Sequence, residues 1–199
     1  MVKRKINWGI IGLGHMANVF AQSIDRVENS TLFGVSSKNP ERLKNFCENF
    51  SVAPKYCFGN YQSLLSCNEI DIIYIALPNS FHLEWILKCF DAEKNVLVEK
   101  PATINSSEFR IIRNRLKPKT LFFSEGFMYL HHPRTKQFIR AVKEGLIGEP
   151  IAMETSFGCK IVEKEGFFKT VIRKLKKEPR QLNKSFGGGC ILDLGCYLT

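Results

Sequence analysis

The 199-residue chain, 44% hydrophobic and 24% charged, has the composition of an ordinary globular protein with room for one full core and part of a second. No apolar run approaches the ~20 residues that span a bilayer, and the basic opening Met1-Val2-Lys3-Arg4-Lys5 leads into a stretch cut by Asn7, Gly9, Gly12, Gly14 and His15, so a cytoplasmic protein is expected. The net charge of +10 is concentrated in residues 160–184, where nine Lys or Arg face three Glu; without base-stacking motifs or a clean amphipathic stripe, neither nucleic acid nor a membrane is the expected partner.

Ile6 to Ile11 is a short apolar run ending in glycines, followed by Met16, Val19, Phe20, Ile24 and Val27 at helical spacing. Thr31 to Ser36 reads as a second strand. Asn39-Pro40 then offers an N-cap and a first-turn proline to a helix with Leu43, Phe46, Cys47 and Phe50 on one face. Asp71 to Leu77 has the continuous β-branched and aromatic character of a strand buried on both faces, and a helix containing Trp85, Ile86, Leu87 and Phe90 follows. Asn95–Glu99 and Thr120–Glu125 add two strands around a helix that Asn105 and Glu108 can cap. Five strands alternating with helices predict an α/β fold: a doubly wound parallel Rossmann sheet over residues 1–125.

A helix from Pro133 to a terminating Gly145 leads to Glu149-Pro150, after which the alternation stops. A strand at Ile151–Phe157, the basic stretch and Gly187-Gly188-Gly189 follow. Residues 126–199 are therefore expected to hold a linking helix and the beginning of a C-terminal α/β domain, with an incomplete antiparallel sheet. Seven cysteines, at 47, 57, 67, 89, 159, 190 and 196, include no Cys-x-x-Cys pair, so free thiols and no metal site are expected.

Gly12-Leu13-Gly14-His15-Met16-Ala17 matches Gly-x-Gly-x-x-Gly/Ala between the first strand and first helix. Gly12 permits the tight turn, Gly14 lets backbone approach a pyrophosphate, and Ala17 keeps helix and strand close. About 20 residues on, where an acid would bind a ribose 2′-hydroxyl, the chain reads Ser36-Ser37-Lys38. Two hydroxyls and an ammonium suit a 2′-phosphate, favouring NADP, with NAD the alternative if Lys38 is only a solvated loop lysine.

Gly12-x-Gly14-x-x-Ala17, Pro78-Asn79-x-x-His82, Glu99-Lys100-Pro101, Glu125-Gly126-Phe127-Met128-Tyr129 and Gly187-Gly188-Gly189-x-x-x-Asp193-x-Gly195-x-Tyr197 occur in order along the chain. In these five motifs it resembles the glucose-fructose oxidoreductase/inositol dehydrogenase/MocA family, most of all the branch with dihydrodiol dehydrogenases and anhydrofructose reductases. The resemblance implies a nicotinamide-dependent oxidoreductase acting on a sugar, polyol or dihydrodiol, homo-oligomeric at full length. It implies that Lys100 lies near nicotinamide and substrate and that Pro101 is a cis-proline. It also matches Asp193 and Tyr197 to the family's Asp-x-x-x-His/Tyr pair. If Cys190 to Tyr197 is helical, these two share a face.

A phenol of ordinary pKa ~10 is a poor proton carrier at neutrality, and a nearby ammonium improves it. The mechanism implied is hydride exchange with a carbinol carbon: Tyr197 transfers the hydroxyl proton, Lys100 stabilises oxygen charge and Asp193 orients substrate or lysine. Pro78, Asn79, His82 and Glu99 join Gly12, Gly14, His15, Met16, Ala17, Ser37, Lys38 and Lys100 as candidate cofactor contacts. For His82 a capping or solvated role competes with contact. Leu130 stands where relatives tend to carry arginine, which puts substrate contacts there in question.

The competing reading is a dinucleotide-binding protein without catalysis, or the remnant of a truncated enzyme, because the chain ends soon after the Tyr197 motif. On that account the 199-residue chain is expected to bind cofactor and to turn over little.

Overall fold

In the computed structural model, which describes residues 4–158, 162–165, 169–172 and 183–197, two compact units divide the chain at Gly126/Phe127. The first begins with β1 (Ile6–Ile11), α1 (His15–Ile24), β2 (Ser30–Ser36) and α2 (Pro40–Asn49). It continues with β3 (Cys57–Phe58), α3 (Tyr61–Leu65), β4 (Ile72–Ile75), α4 (His82–Asp91), β5 (Asn95–Val98), α5 (Ser106–Leu116) and β6 (Phe123–Glu125). All six strands run parallel in the order β3-β2-β1-β4-β5-β6. This is the doubly wound sheet the alternation predicts, with one strand more.

Strand periodicity divides the core into two layers. Ile11, Ile73, Ile75, Val96 and Val98 pack with Leu64, Trp85, Ile86 and Phe90 on one side. Ile10, Val35 and Tyr74 pack with Ala17, Ala21 and Phe46 on the other. Helix starts are fixed by side-chain acceptors: Asn39 Oδ1 takes the Arg42 N–H at 2.8 Å, and Asn105 Oδ1 takes that of Glu108 at 2.9 Å. Glu108 Oε2 in turn accepts from Ile104 N at 3.1 Å. Buried Lys94 donates to the carbonyls of Cys67 and Ile70, both at 2.8 Å, bracing the approach to β4, and burial pushes its ammonium down.

β3 and α3 lie in a stretch without apolar period, and the sequence does not predict them. β3 changes the cysteine account. The free thiols expected throughout are corrected at Cys47 and Cys57, which form a disulfide because the end of α2 passes β3 with their Cα atoms 6.5 Å apart. Cys67 and Cys89 take part in no disulfide.

In the second unit, α6 (Pro133–Lys143) starts on His132, whose Nδ1 accepts from Arg134 N at 3.1 Å. It is followed by Gly145 at φ 71°, the expected terminator. Two corrections belong here. Ile151–Phe157 is not a strand: no described residue offers it a ladder partner, and Ile151 is 99% exposed. The described strands are β7 (Val162–Glu165) and β8 (Lys169–Ile172), an antiparallel pair within the basic stretch, the rest of which lies largely outside the described residues.

Nor is Cys190–Tyr197 one helix. α7 (Cys190–Asp193) stops before Leu194, and Gly195–Tyr197 forms a 3-10 turn closed by Tyr197 N donating to Leu194 O at 3.0 Å. Gly195, a weak helix former, follows the break. No helix among the described residues is long and apolar enough to cross a membrane, and no group of three or more His, Cys, Asp or Glu among them could hold a metal ion.

Candidate dinucleotide site

β1 is flanked by β2 on one side and β4 on the other, so the direction of winding reverses beside it. In open α/β sheets such a switch point opens a crevice at the carboxyl ends of the strands. Backbone hydrogen bonds fix that rim: Ser37 N to Phe58 O at 3.2 Å, Gly12 N to Ser36 O at 3.1 Å, Ala76 N to Ile11 O at 2.9 Å, Glu99 N to Ile75 O at 2.9 Å and Gly126 N to Val98 O at 2.8 Å. The fingerprint glycines, Ser37, Pro78 and Lys100 are thereby set along one edge of the first unit.

Gly12 has φ +86°, and a Cβ there would lie 2.7 Å from Ala76 O and from Leu77 Cδ2, so both conformation and space exclude a side chain. Gly14 differs. A Cβ on it meets nothing within 4 Å, and it begins α1, whose N-terminus has no side-chain cap and no acid in its first turn. Open space over uncapped N–H groups is what a pyrophosphate requires, and the residues present fit one. Asn18 Nδ2 holds the Gly14 carbonyl at 2.8 Å, Ala17 is fully buried against the sheet, and His15 and Met16 occupy the first turn.

At the end of β2, Ser36 Oγ donates to Phe58 O at 2.9 Å, while Ser37 Oγ accepts from Asn39 N at 3.1 Å. Lys38 is exposed, its Nζ 5.5 Å from the centre of the Tyr61 ring. Burial pushes the Tyr61 phenol up, and the nearby Arg42 guanidinium opposes that shift. A groove of about 300 Å³ runs along α2 beside the start of α1, lined by Leu13, Asn18, Asn39, Arg42, Phe46 and Asn49 among others. Arg42 is a second cation beside Ser37-Lys38 that the sequence reading missed; its place one turn past Asn39-Pro40 was the available signal.

Lys100 follows β5 and is half-buried, with a cis peptide between it and Pro101 as the motif implies. Its loop is held from both sides. Glu125 Oε1 accepts from Ala102 N at 2.7 Å, and burial pushes the Glu125 carboxyl up. His82 is fully buried, with Nδ1 2.8 Å from Pro101 O and Nε2 2.9 Å from Leu77 O. Its ring faces the backbone of two rim loops, so a direct contact with bound cofactor is not what this geometry offers. Tyr74 donates its hydroxyl to Glu99 Oε1, tying that carboxylate to β4. Asn79 opens the turn before α4.

In the second unit, Tyr197 is ringed by Phe157, Phe127 and Tyr129 at centroid distances of 5.2, 5.9 and 5.9 Å. Asp193 is the last residue of α7. The candidates thus fall into two groups, twelve on the rim of the first unit and Asp193 and Tyr197 in the second.

The chain is 26% identical over 192 residues to a trans-1,2-dihydrobenzene-1,2-diol dehydrogenase of Xenopus tropicalis, covering 96% of this chain and 53% of the relative. It is 30% identical over 195 residues to a dTDP-3,4-didehydro-2,6-dideoxy-alpha-D-glucose 3-reductase of Actinomadura kijaniata, covering 96% and 53%. The crystal structure of a 3-ketoreductase from Actinomadura kijaniata with NADP and TDP-benzene superposes with a TM-score of 0.77 at 26% identity, covering 98% of this chain and 55% of that one. The chain therefore spans about half the length of the curated relatives it matches. Residues 6–127 match the model of the oxidoreductase family with an NAD-binding Rossmann fold, and the chain belongs to that family, named for glucose-fructose oxidoreductase, inositol dehydrogenase and MocA.

Proposed function

We propose that the chain serves an NADP-dependent oxidoreductase acting at a carbinol or carbonyl carbon of a small sugar-, polyol- or dihydrodiol-like substrate. The observation that carries this reading is the uncapped N-terminus of α1 over the open space at Gly14, with Lys38 just past the end of β2 and Arg42 in the first turn of α2. Gly12, Gly14, His15, Met16 and Ala17 would hold the pyrophosphate, Ser37, Lys38 and Arg42 the ribose 2′-phosphate, and Pro78, Asn79 and Glu99 the nicotinamide half. His82 would support that half through the backbone.

Bound there, a nicotinamide supplies or accepts the hydride. The side chains then have three tasks. Lys100 stabilises negative charge on the substrate oxygen, Tyr197 exchanges the hydroxyl proton, and Asp193 orients substrate or lysine. Residues 126–199 act as the linking helix and the beginning of the substrate domain. Cytoplasmic residence and self-association at full length belong to the same reading.

The test follows reduced nicotinamide while the protein is offered NADP⁺ with a panel of aldoses, polyols and a trans-dihydrodiol. Lys100→Met and Tyr197→Phe should each lower turnover about 10²–10⁴-fold while leaving NADPH affinity within about twofold. Near wild-type turnover in either variant removes that residue from the chemistry. NADPH binding without turnover on any substrate favours the second reading, a dinucleotide-binding protein without catalysis.

A further inference from the structure

The Cys47–Cys57 disulfide lies behind the turn that presents Ser37 and Lys38. Cys57 pairs in register with Val35 in the sheet, and Phe58, the next residue, receives hydrogen bonds from both Ser36 Oγ and Ser37 N through its single carbonyl. β3 is two residues long and lies at the sheet edge, so little else fixes that carbonyl. Cys47 is in the last turn of α2, whose other end is the Asn39 cap beside Lys38. The bridge therefore joins the two elements that flank the Ser37-Lys38 turn.

We propose that Cys47 and Cys57 form a thiol–disulfide switch that sets NADP affinity, the disulfide state binding the phosphorylated cofactor more tightly. The proposal rests on the assignment of Ser37, Lys38 and Arg42 to the 2′-phosphate. Oxidation balances with a low-molecular-weight disulfide such as oxidised glutathione. One cysteine thiolate attacks it and expels a glutathione thiolate, and the other cysteine displaces the second glutathione from the mixed disulfide. The reagent S–S bond breaks, the Cys47–Cys57 bond forms, and two glutathione thiols leave with the protons. A dithiol reverses the exchange.

Both cysteines are half-buried at the margin of the core. Burial pushes the thiols of Cys67 and Cys89 up, away from the reactive thiolate form, so neither competes well. The bond closes a loop of residues ten apart, so its constraint is local. Opening the bond widens the ensemble at β3, and a ligand that needs the turn ordered then binds more weakly. NADH has no 2′-phosphate and depends less on that turn.

NADPH and NADH are titrated by fluorescence into the chain treated with oxidised glutathione and into the chain treated with dithiothreitol, with alkylation and peptide mapping of Cys47 and Cys57 in each sample. The expected result is a bridged pair after oxidised glutathione, NADPH binding about fivefold weaker after dithiothreitol, and NADH changing by less than about twofold. Cys47→Ser and Cys57→Ser should each fix the weaker NADPH affinity whichever reagent is used. Alkylation of both thiols after oxidised glutathione overturns the proposal, as does equal NADPH affinity in the two forms. A constant preference for NADPH over NADH in both forms removes the switch and leaves the cofactor assignment standing. No preference in either form removes both.

Discussion

The two units carry similar apolar patterning with opposite outcomes. In residues 4–126, Ile10, Ile11, Val35, Ile73, Ile75 and Phe90 have no exposed surface. Beyond Ile112 no described hydrophobic residue is buried, and Phe138, Ile147 and Met153 are 56%, 60% and 72% exposed. α6 has a clear apolar face, as α4 has, but α4 meets a sheet and α6 buries none of its residues. Periodicity thus specifies which face of an element is apolar; burial needs a partner surface, which parallel neighbours close in the chain supply in the first unit.

Truncating one phenylalanine on each side sharpens that contrast most. Phe90→Ala should cost about 3–5 kcal/mol in urea unfolding, whereas Phe138→Ala should stay within about 0.5 kcal/mol. Equal losses would erase the distinction. Next comes Gly12→Ala, where positive φ and the approach of Ala76 O combine; about 2–3 kcal/mol of destabilisation and loss of NADPH binding are expected. A stable variant that binds cofactor normally would break the account of the turn.

Lys38→Ala and Arg42→Ala act on the rim alone. Each should weaken NADPH by about tenfold, as for a lost hydrogen bond to a charged group, and leave NADH nearly unchanged. Parallel losses for both cofactors would take the 2′-phosphate away from these residues.

The smallest effect is at Glu125, whose carboxyl is raised by burial while Ala102 N donates to it. A raised carboxyl contributes stability fully below its unfolded pKa of about 4.3, and loses it as pH rises through the folded value. Glu125→Gln keeps an acceptor for Ala102 N without the charge. It should be slightly more stable than wild type at neutral pH, with the gain vanishing in acid; a neutral-pH loss would contradict the assigned cause.

The sheet and its glycine turn were legible because they rest on local pattern: strand runs, Asn39-Pro40, the Asn105 cap and Gly12-x-Gly14-x-x-Ala17. Elements made by distant partners were less legible. β3 has two residues and no period, and with it went the Cys47–Cys57 bridge. Ile151–Phe157 reads like a strand but has no ladder partner among the described residues, and the helix over Cys190–Tyr197 that would put Asp193 and Tyr197 on one face is broken before Gly195. Lys100 was singled out by its motif. The groups that hold its loop, His82 on Pro101 and Glu125 on Ala102, emerge only when β4, β5 and β6 are side by side.

Amide hydrogen exchange of the chain with and without NADPH tests whether the dinucleotide binds on the strand ends. Added protection is expected at Gly12–Ala17 and at Ser37–Asn39, with little change in α5. Unchanged exchange at Gly12–Ala17 under saturating NADPH would contradict binding there.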